Sequence, residues 1–472
     1  MAEENSGVSA GGDGLAGVVE VETLIISNHL GQNVDVRAVF TEIETTTSVF
    51  EPGIRGSVLI YDAQGLINRL PIVGEETLYL SFKTPGNEPK TGEFKVWKVT
   101  DETPDSKGLS STYRLHFCGP EMFENARAPV AKSYVNTDDV AAIVTDILQQ
   151  HLKSPKPLEA VGTVRDPAKK LVIPTYRPFD AIDMLMRRAY SGDATKSDWF
   201  LFFERWDKWV LRMYETLVDQ PLNARRGEKA DLFPAGPAIT ETWYVYQSDK
   251  YLKDSIRGRD IRRVVAMTIE SRFDSLAKIR EGGYESEVVQ YSIKDKALTS
   301  NTFKYQTSGG HPILAGGTSP SSNDSLITTL SNMKANTNTN QFMSNYANPL
   351  SGYAGAQASK VYFRLKDPEE KDGVVKKAGW IYRSAKVLTD QIRVTITVPG
   401  DTAVDAGDIV HFAIPRFDSI SDEAAPDKFL YGKYIVGAIR DSILAPDKHA
   451  CTLDLYRDGY MMEISASELY EE

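Results

Sequence analysis

Two stretches far apart in the chain, Gly92–Asp101 (GEFKVWKVTD) and Gly432–Asp441 (GKYIVGAIRD), carry one pattern. Gly92, Phe94, Val96, Val99 and Asp101 match Gly432, Tyr434, Val436, Ile439 and Asp441 at a fixed offset. Apolar and polar residues alternate along much of both, the period of a strand with one face in a core and one in solvent. The same offset, without a gap, carries Tyr113 to Leu453 and Leu115 to Leu455. Upstream, Gly74-Glu75 before a strand corresponds loosely to Gly407-Asp408 before another, and Gly53–Asp62 resembles Gly283–Asp295. The order of these features is kept, so the sequence predicts a duplicated strand domain whose second copy is split.

Working outward, Val34–Phe50, Ile54–Asp62, Glu76–Thr84, Gly92–Asp101 and Ser111–Phe117 read as antiparallel strands, with Glu51-Pro52-Gly53 as a turn. They suffice for a small barrel or sandwich. The period then changes. Val140, Ile143, Val144, Ile147, Leu148 and Leu152 fall at helical spacing, with Thr137 as the expected N-cap. Phe179–Tyr190 repeats that spacing after Pro178, and Trp199–Glu204 with Trp209–Met213 reads as a hairpin turning at Arg205–Lys208. Strand patterns return at Val264–Phe273, Ser286–Asp295, Gln391–Val398, Asp408–Ile414, Lys433–Arg440 and Ala450–Arg457. Asp274 is read as capping a short helix that ends at Gly282-Gly283.

The fold class expected is mainly β (α+β): two antiparallel β-barrel domains with an inserted α+β domain. The expected divisions are a flexible arm over residues 1–17, a first barrel over 18–118 and an α+β domain over 119–261. The second barrel is assigned to 262–305 plus 378–459, interrupted by a Gly/Ser/Asn-rich insertion over 306–377, with an acidic tail over 460–472. If the duplication is real, a homotrimer presents six similar domains in a ring.

Composition narrows the function. The 472 residues are too many for one ordinary core, and the net charge of −11 argues against an electrostatic grip on nucleic acid. Two cysteines in so long a chain argue against a disulfide framework, and no apolar run is long enough to span a membrane. No Gly-x-Ser-x-Gly or phosphate-cradling glycine loop is present, so no catalytic residue and no cofactor are expected. His116-Phe-Cys118 and His449-Ala-Cys451 hold metal-ligand chemistry, but each is a lone pair on one strand face. They are read as imperfect echoes of a duplicated strand, since the fixed offset sets Cys118 opposite Asp458; no metal is expected. Acid pairs such as Glu75-Glu76, Asp138-Asp139 and Glu369-Glu370 sit at turns and helix starts and read as solvated. The aromatics Trp199, Phe200, Phe202, Phe203, Trp206 and Trp209 are expected to pack the hairpin on the Phe179–Tyr190 helix. Candidate interface residues are Glu51, Pro52 and Gly53 at the turn and the basic patch Arg257, Arg259, Arg262 and Arg263. The loop Pro104–Gly108 and the acidic tail are further candidate contacts.

Four blocks resemble the baseplate central hub proteins of contractile-tailed (myovirus-type) bacteriophages. They are Ser48–Gly86, Phe273–Lys296, Val398–Pro415 and Phe429–Ile443, in the right order along most of residues 20–458. The middle, around Pro174–Tyr190 and Asp198–Met213, looks like the α+β domain shared with spike-bearing secretion-system hubs. The resemblance implies tail-tube-like barrels in a homotrimeric ring joining a hexameric tail tube, or tube initiator, to a trimeric central spike. Baseplate wedge proteins would dock outside and the tape-measure protein's end inside. DNA would pass as cargo, and the place would be the virion's tail baseplate, assembled in the host cytoplasm. The 306–360 stretch departs from a compact hub pattern. The alternatives are the hub of a non-phage contractile injection system and an all-β glycan-binding or wall-degrading tail enzyme.

Overall fold

The computed structural model describes residues 17–70, 72–105, 110–135, 137, 139–166, 170–191, 198–218, 243–245, 264–271, 285–304, 360–366, 392–413, 430 and 432–457. The first seven strands are β1 (Glu20–Ser27), β2 (Asn33–Asp35), β3 (Phe40–Ser48), β4 (Arg55–Asp62), β5 (Thr77–Lys83), β6 (Lys90–Pro104) and β7 (Ser111–Cys118). A one-turn helix α1 (Leu66–Arg69) lies between β4 and β5. All pairs are antiparallel, in the order β3-β4-β7-β6-β5-β1-β2. Alternation along these strands turns Ile43, Val58, Ile60, Leu78, Leu80, Phe82, Phe94, Val96, Tyr113, Leu115 and Phe117 into one buried core. Gly56 is required by that packing: a Cβ there would lie 2.3 Å from both the Glu44 carbonyl oxygen and the Phe117 ring.

The chain then leaves the sheet for α2 (Pro120–Arg127), β8 (Val130–Val135), α3 (Val140–Asp146), β9 (Leu158–Val161), β10 (Lys170–Tyr176) and α4 (Pro178–Arg188). A π-helical turn, Ile147–His151, prolongs α3. The hairpin β11 (Phe200–Glu204) and β12 (Trp209–Met213) follows, then α5 (Tyr214–Val218). The N-cap of α3 is Asp139, whose carboxylate accepts from the Ala141 and Ala142 amides, and not Thr137. Thr137 stands two residues too early; its hydroxyl accepts from the Asp139 amide instead. The apolar stripes of α3 and α4 pack on the hairpin as a core of their own. The middle is therefore α+β.

The remaining strands are β13 (Trp243–Val245), β14 (Ala266–Ser271), β15 (Glu285–Ser292), β16 (Ala297–Lys304), β17 (Lys360–Lys366), β18 (Ile392–Pro399), β19 (Ile409–Ala413), β20 (Gly432–Leu444) and β21 (Lys448–Arg457). Five of them repeat the first half. β14 pairs β18, β18 pairs β21, β21 pairs β20 and β20 pairs β19, as β3, β4, β7, β6 and β5 pair in turn. The detail repeats as well. The register slips between Val96 and Lys98 in one copy and between Val436 and Ala438 in the other. The amide of Val96 donates to the Glu76 carbonyl, and that of Val436 to the Asp408 carbonyl, each at 2.9 Å. One residue before each acceptor the backbone turns left-handed, at Glu75 (φ 67) and Gly407 (φ 84). Glu75 is thus the counterpart of Gly407, which moves the expected Gly74-Glu75 match by one residue.

Two further correspondences are corrected. Val99 faces Leu115 while Ile439 faces Leu453, so the second hairpin is two residues shorter and the ungapped offset fails between its strands. Leu453, not Leu455, is the counterpart of Leu115. The second concerns Gly283–Asp295. Its strand β15 pairs with β16 and, in parallel, with β17, in a separate three-stranded sheet. The counterpart of β4 is β18, between β14 and β21. Alternation specifies a strand, not its neighbours. The expected cap Asp274, the exit Gly282-Gly283, residues 306–359 and the acidic tail lie outside the described residues.

The two repeats are one sheet. β20 runs past β19 and pairs with β3, from Ala438 opposite Ser48 to Leu444 opposite Glu42. Thirteen described strands are thereby hydrogen-bonded together. Trp206 locks the first repeat from outside it, its ring edge-on to Phe82 and Phe94 at 5.5 and 5.7 Å. Truncating so large a buried ring costs about 3–5 kcal/mol. Trp206→Ala is expected to lower the melting temperature of the purified chain markedly, whereas Trp97→Ala, at a side chain 52% exposed, stays within about 0.5 kcal/mol of wild type.

Candidate functional site

The hairpin β11–β12 feeds three cores at once. Phe202 stacks on Trp209 at 5.0 Å, and Phe179 of α4 sits 5.7 Å from the Trp209 ring, as the aromatic spacing predicts. That accounts for one face only. Trp199, Leu201, Phe203 and Val210 lie in the core of the second repeat, and Trp206 lies in that of the first. Adjacent residues at the turn also point to different repeats. The Glu204 carboxylate accepts from the Ile54 amide at 2.8 Å, at the start of β4. Arg205 donates to the Ala406 carbonyl at 3.1 Å and to Asp408 at 3.0 Å, just before β19. Burial, and secondarily the nearby Glu121, raises the pKa of Glu204 despite its ion pair with Lys156.

Beneath the seam lies a buried polar cluster. The Lys90 ammonium sits 3.1 Å from Asp441 Oδ2 and 3.1 Å from the Val404 carbonyl, with Asp405 at 3.8 Å. Asp441 Oδ1 is 3.1 Å from both His449 Nε2 and Cys451 Sγ. Lys90 comes from the first repeat and its partners from the second, so a fully buried ion pair spans the two. Nearby, Thr84 and Thr402 share a hydroxyl hydrogen bond of 2.9 Å, and Asn87 donates to Asp401. Burial disfavours the charged form of Lys90, but Asp441 and Asp405 outweigh it and hold its pKa above the ordinary range. Burial opposes ionisation of Asp441 too, yet Lys90 and His449 hold its pKa well below the usual carboxylate value. Burial pushes the Cys451 thiol well up, and the Cys118 thiol to about 11.

Asp441, His449 and Cys451 could in principle hold a metal, their ligand atoms lying within 4.8 Å of one another. The lysine ammonium against the same carboxylate already supplies a cationic partner, while the buried His449 Nδ1 has no hydrogen-bond partner. The two His-x-Cys pairs are not echoes of one position. Paired register makes Cys451 the counterpart of Tyr113, at the start of β21, while Cys118 ends β7. His116 is on the opposite face, bonded to Thr100 at 2.8 Å. Sequence spacing offered no signal for Lys90.

Among the other expected sites, Glu51 is exposed and 3.4 Å from Arg55. Gly53 (φ 92) abuts Met122 of α2, so part of that turn is spent on internal packing. Arg257, Arg259, Arg262 and Arg263 lie outside the described residues. Glu76 is buried, not solvated; its carboxylate accepts from the Val73 and Gly74 amides.

The sheet face turned away from the two cores is polar on both sides of the seam. Arg393 pairs with Glu270 at 2.8 Å and Asp454 at 3.2 Å, and Arg114 with Glu42 at 2.7 Å and Glu44 at 3.8 Å. Arg440 bridges the seam to Glu44. Thr46, Thr395 and Ser57 fill the positions between. Each of these guanidinium groups is paired with at least one carboxylate.

No family model matches the chain, and no curated protein matches it in sequence. Its fold is that of tail proteins. In particular it is similar to the tail protein from Neisseria meningitidis MC58, at 12% identity, over 94% of this chain and 97% of that one, with a TM-score of 0.51. The 43 kDa tail protein of prophage MuSo2 from Shewanella oneidensis aligns over 94% of this chain and 100% of its own, at 12% identity and a TM-score of 0.46. At these identities the likeness is one of fold.

Breaking a buried pair leaves an uncompensated charge and costs about 3–5 kcal/mol. Lys90→Met and Asp441→Asn are each expected to lose that much in denaturant unfolding, and Lys90→Met/Asp441→Leu to recover a good part of it. The Asp441 contribution, with folded pKa depressed, is present above its unfolded value of about 4 and lost as pH falls through the folded one. That of Lys90, with folded pKa raised, is present below about 10 and lost as pH rises further. The wild type should show a stability plateau between those limits, and Asp441→Asn a shallower acid limb.

Proposed function

We propose that this chain is a structural baseplate hub subunit of a contractile phage tail, not an enzyme, and that it works as a homotrimer. The observation that carries the reading is the duplication itself. One chain supplies two copies of a strand unit already joined edge to edge, so three chains supply six similar units around one axis. Such a ring meets a hexameric tube on one face and a trimeric spike on the other. The tail-protein fold supports the class of protein, and the pseudo-repeat supports the symmetry-adapting role.

The polar face is assigned to the lumen. A conduit for DNA needs a wall that is wet but does not bind, and ion-paired arginines among threonines meet that need. The net charge of −11 has the right sign. Spike, tube or tube-initiator, wedge and tape-measure proteins are the partners such a ring would take. The apolar face of the small sheet, with Tyr291, Leu298, Phe363 and Leu365 exposed, is a surface open to one of them.

Light scattering on the purified full chain tests the reading. A mass near three times 52.4 kDa is expected, and a monomer at working concentrations contradicts it.

A further inference from the structure

Three donor types of a zinc site meet inside the second repeat, and the strand ladder puts them there. His449 and Cys451 stand two apart on β21, so both side chains leave the same face. Asp441 on β20 is the cross-strand partner of Cys451 and shares that face. All three residues are buried. The first repeat has no such set: Tyr113 stands at the place of Cys451, and Ser111, two residues earlier, at that of His449.

The ligand atoms form a closed triangle. Asp441 Oδ1 lies 3.1 Å from His449 Nε2 and 3.1 Å from Cys451 Sγ, and Sγ lies 3.6 Å from Nε2. Hydrogen bonding accounts for the two edges at Oδ1 but puts no condition on the third. A tetrahedral zinc ion conditions all three. Bonds of about 2.3 Å to sulfur and about 2.0 Å to nitrogen and oxygen give S···N of about 3.6 Å, S···O of about 3.5 Å and N···O of about 3.3 Å. The observed triangle is that face of the tetrahedron to within about half an ångström. The His449 ring is held in place by Gly400, where a Cβ would lie 2.0 Å from Cγ and Nδ1, and by Phe82, nearly perpendicular to it at 5.7 Å.

Lys90 does not occupy this position. Its ammonium is on the other carboxylate oxygen, Asp441 Oδ2, which leaves Oδ1 to the triangle. Charge favours an ion as well. Lys90, Asp441 and Asp405 together carry one net negative charge, and a divalent ion with one thiolate adds one positive charge, bringing the group to neutrality. We propose that Asp441 Oδ1, His449 Nε2 and Cys451 Sγ bind one zinc-class divalent cation, with the fourth position left to water. A thiolate beside an imidazole suits zinc, whereas magnesium and calcium take oxygen donors. Binding displaces the thiol proton, which is released, and the neutral imidazole coordinates through Nε2 with its proton on Nδ1. Nδ1 lacks a partner whichever tautomer is present, so that shift strands no additional group. The ion fastens β20 to β21 beside the seam, on the same carboxylate that Lys90 of the first repeat grips. The site is internal to one chain and does not depend on the trimeric reading.

Metal content and cobalt spectroscopy of the tag-free full chain test this. The chain is purified without chelator for elemental analysis, and a second sample is expressed in cobalt-supplemented minimal medium. About one zinc per chain is expected to survive dialysis. The cobalt form should show a thiolate-to-cobalt charge-transfer band and the intense visible bands of tetrahedral coordination. Cys451→Ser should lose that charge-transfer band and most of the metal, while Cys118→Ser keeps both. Circular dichroism reports whether Cys451→Ser folds; where it does not, the wild-type content and cobalt spectrum decide alone. A wild type with neither zinc nor the cobalt band overturns the proposal. Zinc that a chelator strips at once from the folded chain, or that folded Cys451→Ser retains, is an adventitious ion only and overturns it too. Light scattering on the same samples reads the hub proposal separately: a monomer that holds zinc contradicts the trimer and leaves this site standing.

Discussion

Backbone hydrogen bonding between β3 and β20 turns two small antiparallel units into one sheet, and the remaining features either follow from that join or secure it. Pairing of this kind carries no sequence preference of its own, since any two extended segments can form it. What makes it specific is the material beneath. Lys90 reaches across to Asp441, Thr84 meets Thr402, and the hairpin places Trp206 in one core and Phe203 in the other. A buried ion pair stabilises little on balance, but it penalises any register that separates its partners. The seam is fixed by what a slip would strand.

Duplication explains where the two repeats differ. The outer strands β1 and β2 belong to the first alone among the described residues, while β19 of the second takes β13 as a parallel neighbour. The shared part is the five-strand unit with its bulge in the joining strand and its left-handed turn before the strand beside it. A bulge re-aims a strand and increases its twist. In β20 it falls where the strand leaves β19 and engages β3. The α+β module sits between the repeats in sequence and touches both through Glu204 and Arg205, so it braces the join.

Much of this was legible in the residues. Alternation located the strands of the first repeat, helical spacing located α3 and α4, and the match of Gly92–Asp101 to Gly432–Asp441 exposed the duplication. Strand partnership was not legible, because alternation is identical for a strand in the large sheet and for β15 in the small one. The two-residue difference between the hairpins escaped for a related reason: with a period of two, an even shift keeps every apolar residue on the correct face. The seam cluster was half visible. His449 and Cys451 stand out as ligand types, but Lys90 lies far away in sequence and reads as an ordinary surface lysine until β6 and β20 are placed in the same sheet.

The central claim is that one chain supplies two equivalent units of a ring. A cryo-electron microscopy map of the assembled particle, reconstructed without imposed symmetry, addresses it most directly. The account predicts threefold symmetry with a near-sixfold inner wall, in which the two strand units of each copy occupy near-equivalent positions. A particle lacking threefold order, or an inner wall in which the two units of a copy take unrelated positions, would contradict it.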